Sequence, residues 1–353
     1  MRPVSLAGLP AYARALLAEA EAFAPAETDR EALVLPGLTI DLTAGRGALT
    51  ELCRAQLVPP AAEPMPAVRA SVLAFDATMA GWPAPAPWDT EAGFSARAFD
   101  ASLTGEGLRG FYYHDAPSWQ IFDPATGRGV YSLPEPLAVP PWERGAPLRL
   151  FMHWAYAASG RRFTHAATLG LDGRGVLLVG GSGSGKSGTT LSGVLHGLTS
   201  VGDDYVMLER NGPIVARALF RTFKQDAPGL DRVGLRPEDL PSAELNWAGK
   251  YEFDAAALVP GGLVDTLAID AIVIPEITGG STTEIVPTSS QIAALRLAPS
   301  AVFQLPGDRE EGFRFFSGLA RSLPAYRARL GRDPADVAAA FRRLFAELPR
   351  HVD

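Results

Sequence analysis

Apolar residues recur at helical spacing through residues 1–24, where Leu9, Tyr12, Ala13, Leu16 and Leu17 share a face. A second helix is predicted over 47–57, with Leu49, Leu52 and Cys53 on one side. Residues 58–66, rich in proline and alanine, read as a loop. From 68 to 133 the pattern is mostly strands and turns. Its clearest hairpin joins 110–113 to 119–123, and a second turn, 123–127, leads into 129–133. Five prolines within 134–147 mark the expected domain boundary.

Beyond that boundary the pattern alternates between strand and helix. A helix is predicted over 148–158, and two strands, 166–171 and 176–179, flank an Asp172-Gly173 turn. A glycine-rich loop follows, then a helix to about Leu195, then a strand over 199–208 carrying Asp203 and Asp204. Residues 269–275 read as a buried strand and 284–286 as a short one. The remainder reads as helical, over 290–297, 309–323 and 334–348. The expectation is a two-domain α/β protein, with an N-terminal α+β domain over 1–147 and a second domain over 148–353.

Composition narrows the classes. Hydrophobic residues make up 47% and charged residues 20%, enough to bury a proper core. A net charge of −7 with no basic run argues against nucleic acid as a partner. No apolar stretch is long enough to span a membrane and no secretory signal is evident, so a cytoplasmic location is expected. Cys53 is the lone cysteine, which excludes an internal disulfide and reads as a small buried hydrophobe. The 32 basic residues include only three lysines, Lys186, Lys224 and Lys250, all in the second half. Where arginine supplies generic positive charge, a retained lysine points to a need for a compact ammonium.

The segment Gly180-Gly181-Ser182-Gly183-Ser184-Gly185-Lys186-Ser187 satisfies G-x-x-x-x-G-K-[ST], between a predicted strand and a helix opened by Lys186, Ser187, Gly188 and Thr189. Glycines let successive N–H groups turn inward toward phosphate oxygens, and the helix brings its positive dipole end to the same place. Lys186 is expected to reach the β- and γ-phosphates of ATP, and Ser187 to coordinate Mg²⁺. Asp203 and Asp204 supply two carboxylates, one for the metal and the other for an acceptor hydroxyl, or one of them structural. His165 opens the hairpin leading into the loop.

Together these residues resemble the kinase domain of HPr kinase/phosphorylase, a bacterial serine protein kinase. His165 precedes Ser187 by 22 positions and Asp204 follows it by 17, which is similar to the spacing of that family. Pro141-Trp142-Glu143-Arg144, Ala146-Pro147-Leu148-Arg149, Gly202-Asp203-Asp204-Tyr205-Val206 and Leu297-Ala298-Pro299-Ser300-Ala301-Val302-Phe303-Gln304-Leu305-Pro306 look like a branch of HPr-kinase-related proteins. That branch accompanies clusters for ribosomally made peptides, lasso peptides among them. The resemblance implies a core of the HPr kinase and phosphoenolpyruvate carboxykinase type, a mixed sheet flanked by helices, and assembly into homo-oligomers. It implies Asp204 as the base on an acceptor serine, Asp203 and Ser187 as Mg²⁺ ligands, and His165 as the residue that positions or polarises Asp204. The Arg-Gly-Leu-Gly-Ile signature of the bifunctional members is absent, which argues against a reverse phosphorylase activity and against HPr as substrate. Lys224 and Lys250 are candidates for phosphate or acceptor contacts where that arginine would act.

The expected activity is therefore ATP- and Mg²⁺-dependent transfer to a serine hydroxyl of a peptide or protein. Tyr112, Tyr113 and Trp119 of the N-terminal domain are candidates for acceptor recognition. A small-molecule kinase would use the same catalytic residues, and a non-catalytic ATP-binding regulator would keep the loop. A GTPase is disfavoured because no Asn-Lys-x-Asp motif occurs. A transporter ATPase is disfavoured because Leu191-Ser192-Gly193 comes too early for a signature motif.

Overall fold

The computed structural model describes residues 3–23, 28–45, 48–59, 67–76, 79, 81–82, 85–89, 95–135, 138–210, 212–298 and 305–349. Most of the expected loop over 58–66, and residues 299–304 of the stretch that resembles the peptide-associated branch, lie outside the described residues. The chain forms two compact units, Met1–Gly160 with Leu305–Asp308, and Arg161–Gln304 with Arg309–Asp353.

The first unit contains α1 (Leu9–Ala22), β1 (Asp29–Leu35), β2 (Leu38–Ala44), α2 (Ala48–Gln56), β3 (Val68–Asp76), α3 (Ala96–Thr104), β4 (Arg109–Tyr113), β5 (Ser118–Asp123), β6 (Arg128–Leu133) and α4 (Arg149–Ala158). Its strands form one mixed sheet in the order β1-β2-β3-β6-β5-β4, parallel only at β2–β3 and β3–β6. The predicted β4–β5–β6 meander is present in register, with Tyr112 opposite Trp119 and Ile121 opposite Val130. Trp119, fully buried, sits among Tyr12, Trp88, Phe99 and Tyr112. Trp119 and Tyr112 are thus core residues, and Tyr113 turns its hydroxyl inward to Glu143, so these aromatics do not form a recognition surface. Cys53 is buried as expected.

The division falls after Gly160 and not after Pro147. Two packing facts explain the difference. Phe151 and Trp154 of α4 pack on Phe122, and Phe151 also packs on Tyr131, so this helix closes the first unit and does not open the second. In the proline-rich stretch, Glu143 is buried completely and bonded to Tyr113, Gln120 and Tyr131, which makes that stretch a part of the core.

The second unit contains β7 (Arg162–Thr164), β8 (Ala167–Leu171), β9 (Arg174–Leu178), α5 (Lys186–Leu195), β10 (Val206–Arg210), β11 (Ile214–Arg217), β12 (Thr222–Asp226), α6 (Ala227–Arg232), β13 (Glu244–Leu245), β14 (Lys250–Asp254), α7 (Ala255–Leu258), β15 (Thr266–Gly280), β16 (Glu284–Thr288), α8 (Ser290–Ala298), α9 (Arg309–Ser322), β17 (Ala325–Gly331) and α10 (Pro334–Glu347). A mixed sheet runs β16-β17-β15-β11-β10-β7, with β9 paired to β15 and β8 to β9. β15 is its axis, parallel to both β9 and β17. Its apolar stretch is buried throughout residues 269–275, as a strand covered on both faces requires. The strand β17 interrupts the C-terminal region expected to be wholly helical, its Ala325, Ala328 and Leu330 turning inward between exposed or half-buried neighbours.

Helix α10 starts cleanly, with Asp333 capping the N–H of Ala335 and Pro334 at its first position. Its Val337, Phe341, Leu344 and Phe345 pack in one core with Leu191 and Val194 of α5 and with Leu178 of β9. Each such side chain contributes about 1.5–3 kcal/mol on burial, which fixes α5 at the end of β9. A separate three-stranded antiparallel sheet, β12-β14-β13, lies in the same unit.

The Asp203-Asp204 pair lies in a bend ahead of β10 and not within a strand over 199–208. Ser200 accounts for this. Its hydroxyl accepts from the N–H of Gly202 at 3.0 Å and donates to the Gly202 carbonyl at 3.1 Å, closing a turn at the point where a ladder would continue. Among the described residues, no helix is long and apolar enough to cross a membrane.

Candidate active site

Strand β9 delivers the chain into the glycine-rich loop. Gly180, Gly183 and Gly185 adopt positive φ angles of 151°, 76° and 103°. A Cβ on Gly180 would meet Ser184 Oγ at 2.7 Å, and one on Gly185 would meet Leu330 Cδ1 at 2.8 Å, so both places exclude a side chain. Gly181, Ser182 and Gly183 form the exposed tip, while Ser184 Oγ is buried without a hydrogen-bond partner. Lys186, 7% exposed, curls back and donates to the carbonyls of Gly180 at 2.6 Å and Gly181 at 3.3 Å. Burial holds its ammonium below the ordinary lysine range, with Lys250 adding to the effect and Asp204 and Asp203 opposing it. Thr189 donates its hydroxyl to the Gly185 carbonyl at 2.8 Å, tying the helix start to the loop.

The two aspartates take different partners. Asp203, 2% exposed, accepts the backbone N–H of Lys224 on Oδ2 at 3.0 Å, and the nearby Ser187 hydroxyl also favours its charge. Its Oδ1 is buried with no hydrogen-bond partner. Burial pushes its carboxyl up to about 6, against the backbone bond from Lys224. Asp204 accepts from His165 Nε2 on Oδ1 at 2.8 Å and from Lys224 Nζ on Oδ2 at 3.0 Å. Burial works against its charge, but Lys224 and His165 outweigh it and hold the carboxyl well below the usual range. His165 stands between β7 and β8, its ring 5.2 Å from that of Tyr205 and its Nδ1 buried without a partner.

Lys224 is fixed by the small sheet. It lies directly opposite Glu252 in the β12–β14 pair, and its Nζ reaches Glu252 Oε1 at 3.2 Å. Asn246 donates its amide to the same Oε1 at 2.9 Å. Burial would lower the Lys224 ammonium, yet Asp204 and Glu252 raise it above the ordinary range, so it stays charged. Asn246 also accepts the N–H groups of Ala248 and Lys250 on Oδ1, closing the turn that presents Lys250 at the start of β14. The structure thus gathers Lys186, Ser187, Asp203, Asp204, His165 and Lys224 into one cluster, with the charge of Lys250 acting on Lys186 and Asp203. Sequence reasoning missed Glu252 and Asn246. The alternation Lys250, Tyr251, Glu252, Phe253 was the available signal that Glu252 shares a face with Lys250.

A cavity of about 380 Å³ adjoins the start of α5. Gly185, Gly188 and Thr189 line it together with Arg232, Ile277 and Arg332. Among the described residues, no three or more His, Cys, Asp or Glu side chains are placed to hold a metal by themselves. Asp203 and Ser187 nevertheless fit a Mg²⁺ ion that keeps most of its ligands from water and phosphate, because the free, buried Oδ1 of Asp203 is a hard oxygen donor.

No family model and no curated protein matches the sequence. Among solved structures, the HPr(Ser) kinase/phosphatase from Coxiella burnetii is matched over 53% of this chain and 97% of its own, at 13% identity and a TM-score of 0.30. At that distance the likeness says nothing of activity, which only the residues of the cluster can support.

Proposed function

We propose that the chain is an ATP- and Mg²⁺-dependent kinase that transfers the γ-phosphoryl group to a serine hydroxyl of a peptide or protein. The observation that carries this reading is Asp204, kept ionised and aimed by His165 at 2.8 Å and Lys224 at 3.0 Å, beside a glycine-rich loop bearing Lys186 and Ser187. In phosphoryl transfer the protein contributes mostly positioning and charge neutralisation. Loop N–H groups and Lys186 would hold the phosphate chain, and the cavity beside Gly188 and Thr189 would take the nucleoside. Ser187 and Asp203 would hold Mg²⁺, which supplies charge neutralisation between the phosphates when bound. With one lone pair on each oxygen engaged, Asp204 retains others to orient the acceptor hydroxyl and receive its proton. The sequence resemblance points to a ribosomally made, lasso-type precursor as the acceptor.

The test incubates the purified chain with MgCl₂, γ-labelled ATP and candidate acceptors, among them any small precursor peptide encoded beside the gene and free serine. Label on a peptide serine with the native chain, and none with Asp204→Asn, is the expected result. Label on free serine alone would establish a small-molecule kinase instead. Binding of ATP with no transfer to any acceptor would establish a nucleotide-binding regulator.

A further inference from the structure

We propose that Lys250 is the second phosphate-contacting ammonium of this site and that Lys224 is not; the assignment rests on the nucleotide reading. All three lysines of the chain fall in the second unit, Lys224 and Lys250 on the paired strands β12 and β14, and two of the three are already committed. Lys186 is the loop ammonium, turned onto the carbonyls of Gly180 and Gly181. Lys224 is shared by Asp204 and Glu252 at 3.0 and 3.2 Å, and Asn246 braces Glu252 from the far side of the turn. Pulling Lys224 toward a phosphate would leave Asp204 and Glu252 as facing carboxylates with no cation between them, which like-charge repulsion disfavours. Its function is to position Asp204.

Lys250 differs in each respect. Its ammonium has no ion-pair partner among the described residues. The residue opposite it, Asp226, is engaged as the cap of α6 through the N–H of Gly229. Both backbone groups of Lys250 are tied to Asn246, the N–H to Oδ1 at 3.0 Å and the carbonyl to the N–H at 2.8 Å. The turn therefore fixes where the side chain starts. Lys250 stands one alternation from Glu252 on β14, on the face where Glu252 meets Lys224 and Lys224 meets Asp204, so its side chain starts on the side of the strand pair that carries the aspartate contacts. An ammonium on this face with no carboxylate paired to it, in the unit that carries the glycine-rich loop and Lys186, is matched by a bound anion, and a triphosphate chain is such an anion.

The presence of only three lysines makes the test direct. The native full-length chain is acetylated with a limiting reagent, with and without Mg²⁺ and the β,γ-imido analogue of ATP, and each lysine is quantified by mass spectrometry. Analogue binding is measured calorimetrically on the same protein. Expected are protection of Lys250 by the analogue, slow labelling of Lys224 in both states, and about tenfold weaker analogue binding by Lys250→Ala, the loss that attends removal of a hydrogen bond to a charged group. Binding to the native chain without protection of Lys250, or unaltered binding by Lys250→Ala, overturns this assignment and leaves the nucleotide reading intact. No binding to the native chain overturns both.

Discussion

Lys224 holds Asp204 with its ammonium at 3.0 Å, while its backbone N–H holds the adjacent Asp203, also at 3.0 Å. One residue of β12 thereby sets both carboxylates of the bend, one through a charge and the other through a main-chain dipole. Only the first of these contacts depends on the identity of the side chain.

That difference separates catalysis from binding. Asp204→Asn removes the proton acceptor and is expected to lower the transfer rate by about a hundredfold or more, the low end for losing a general base. Asp203 and the loop keep their contacts, so affinity for Mg²⁺ and ATP is expected to hold. Single-turnover transfer assays alongside equilibrium ATP binding check this, and a parallel loss of both would refute the division.

Gly185 sets the end of the loop at a φ of 103°, with Leu330 filling the space where a Cβ would stand. Gly185→Ala is expected to destabilise the fold by about 1–3 kcal/mol through backbone strain and overpacking, and to abolish ATP binding. Adding Leu330→Ala relieves the contact but not the strain, so urea denaturation should show partial recovery only.

The local signals were legible because they are local. The glycine spacing, Lys186, Ser187 and the aspartate pair each declare themselves within a few residues, and the strand and helix flanking the loop follow from short apolar runs. The β12–β14 register carries no such mark: Lys224 and Glu252 become neighbours only when the two strands pair across the intervening α6 and β13. β17 was hidden by Arg327 and Arg329, whose charges mimic a helix surface, although both make ion pairs across the sheet, with Glu276 and Glu284. The bend at Asp203 depends on a serine hydroxyl replacing a strand bond, which strand propensity does not encode.

In the first unit, Glu143 is a fully buried carboxylate bonded to Tyr113, Gln120 and Tyr131, with Arg149 at 3.5 Å. Glu143→Ala leaves these groups without their common acceptor and is expected to destabilise the protein by about 3–5 kcal/mol, the range for breaking a buried ion pair. Chemical denaturation of both forms measures it; a change below about 1 kcal/mol, the size of an ordinary hydrogen bond, would contradict the network.

Tyr12 provides a pH test. Burial pushes its phenol from 10.0 to about 12, against the N–H of Ala86 that it accepts. A group whose folded value lies above its unfolded one stabilises fully below the unfolded value and loses that contribution as pH rises through the folded one. Stability should therefore fall between pH 10.0 and about 12, and Tyr12→Phe should lessen that fall. Denaturation midpoints across this window decide it, and an equal fall in both forms would rule Tyr12 out as the source.

The chain returns to the first unit at Leu305–Asp308, so no single cut in the sequence divides it into the two units. Within those four residues, Leu305 is buried and the Pro306 carbonyl accepts the indole N–H of Trp154 at 2.7 Å. A protease that nicks the backbone after Gly160 leaves this short graft, four residues of the first unit, on the other fragment, held to the first unit by contacts such as the Trp154–Pro306 hydrogen bond. A gene truncated at the same point yields a first unit whose Trp154 has lost its acceptor, and a graft supplied as a separate peptide becomes a complementation partner for it.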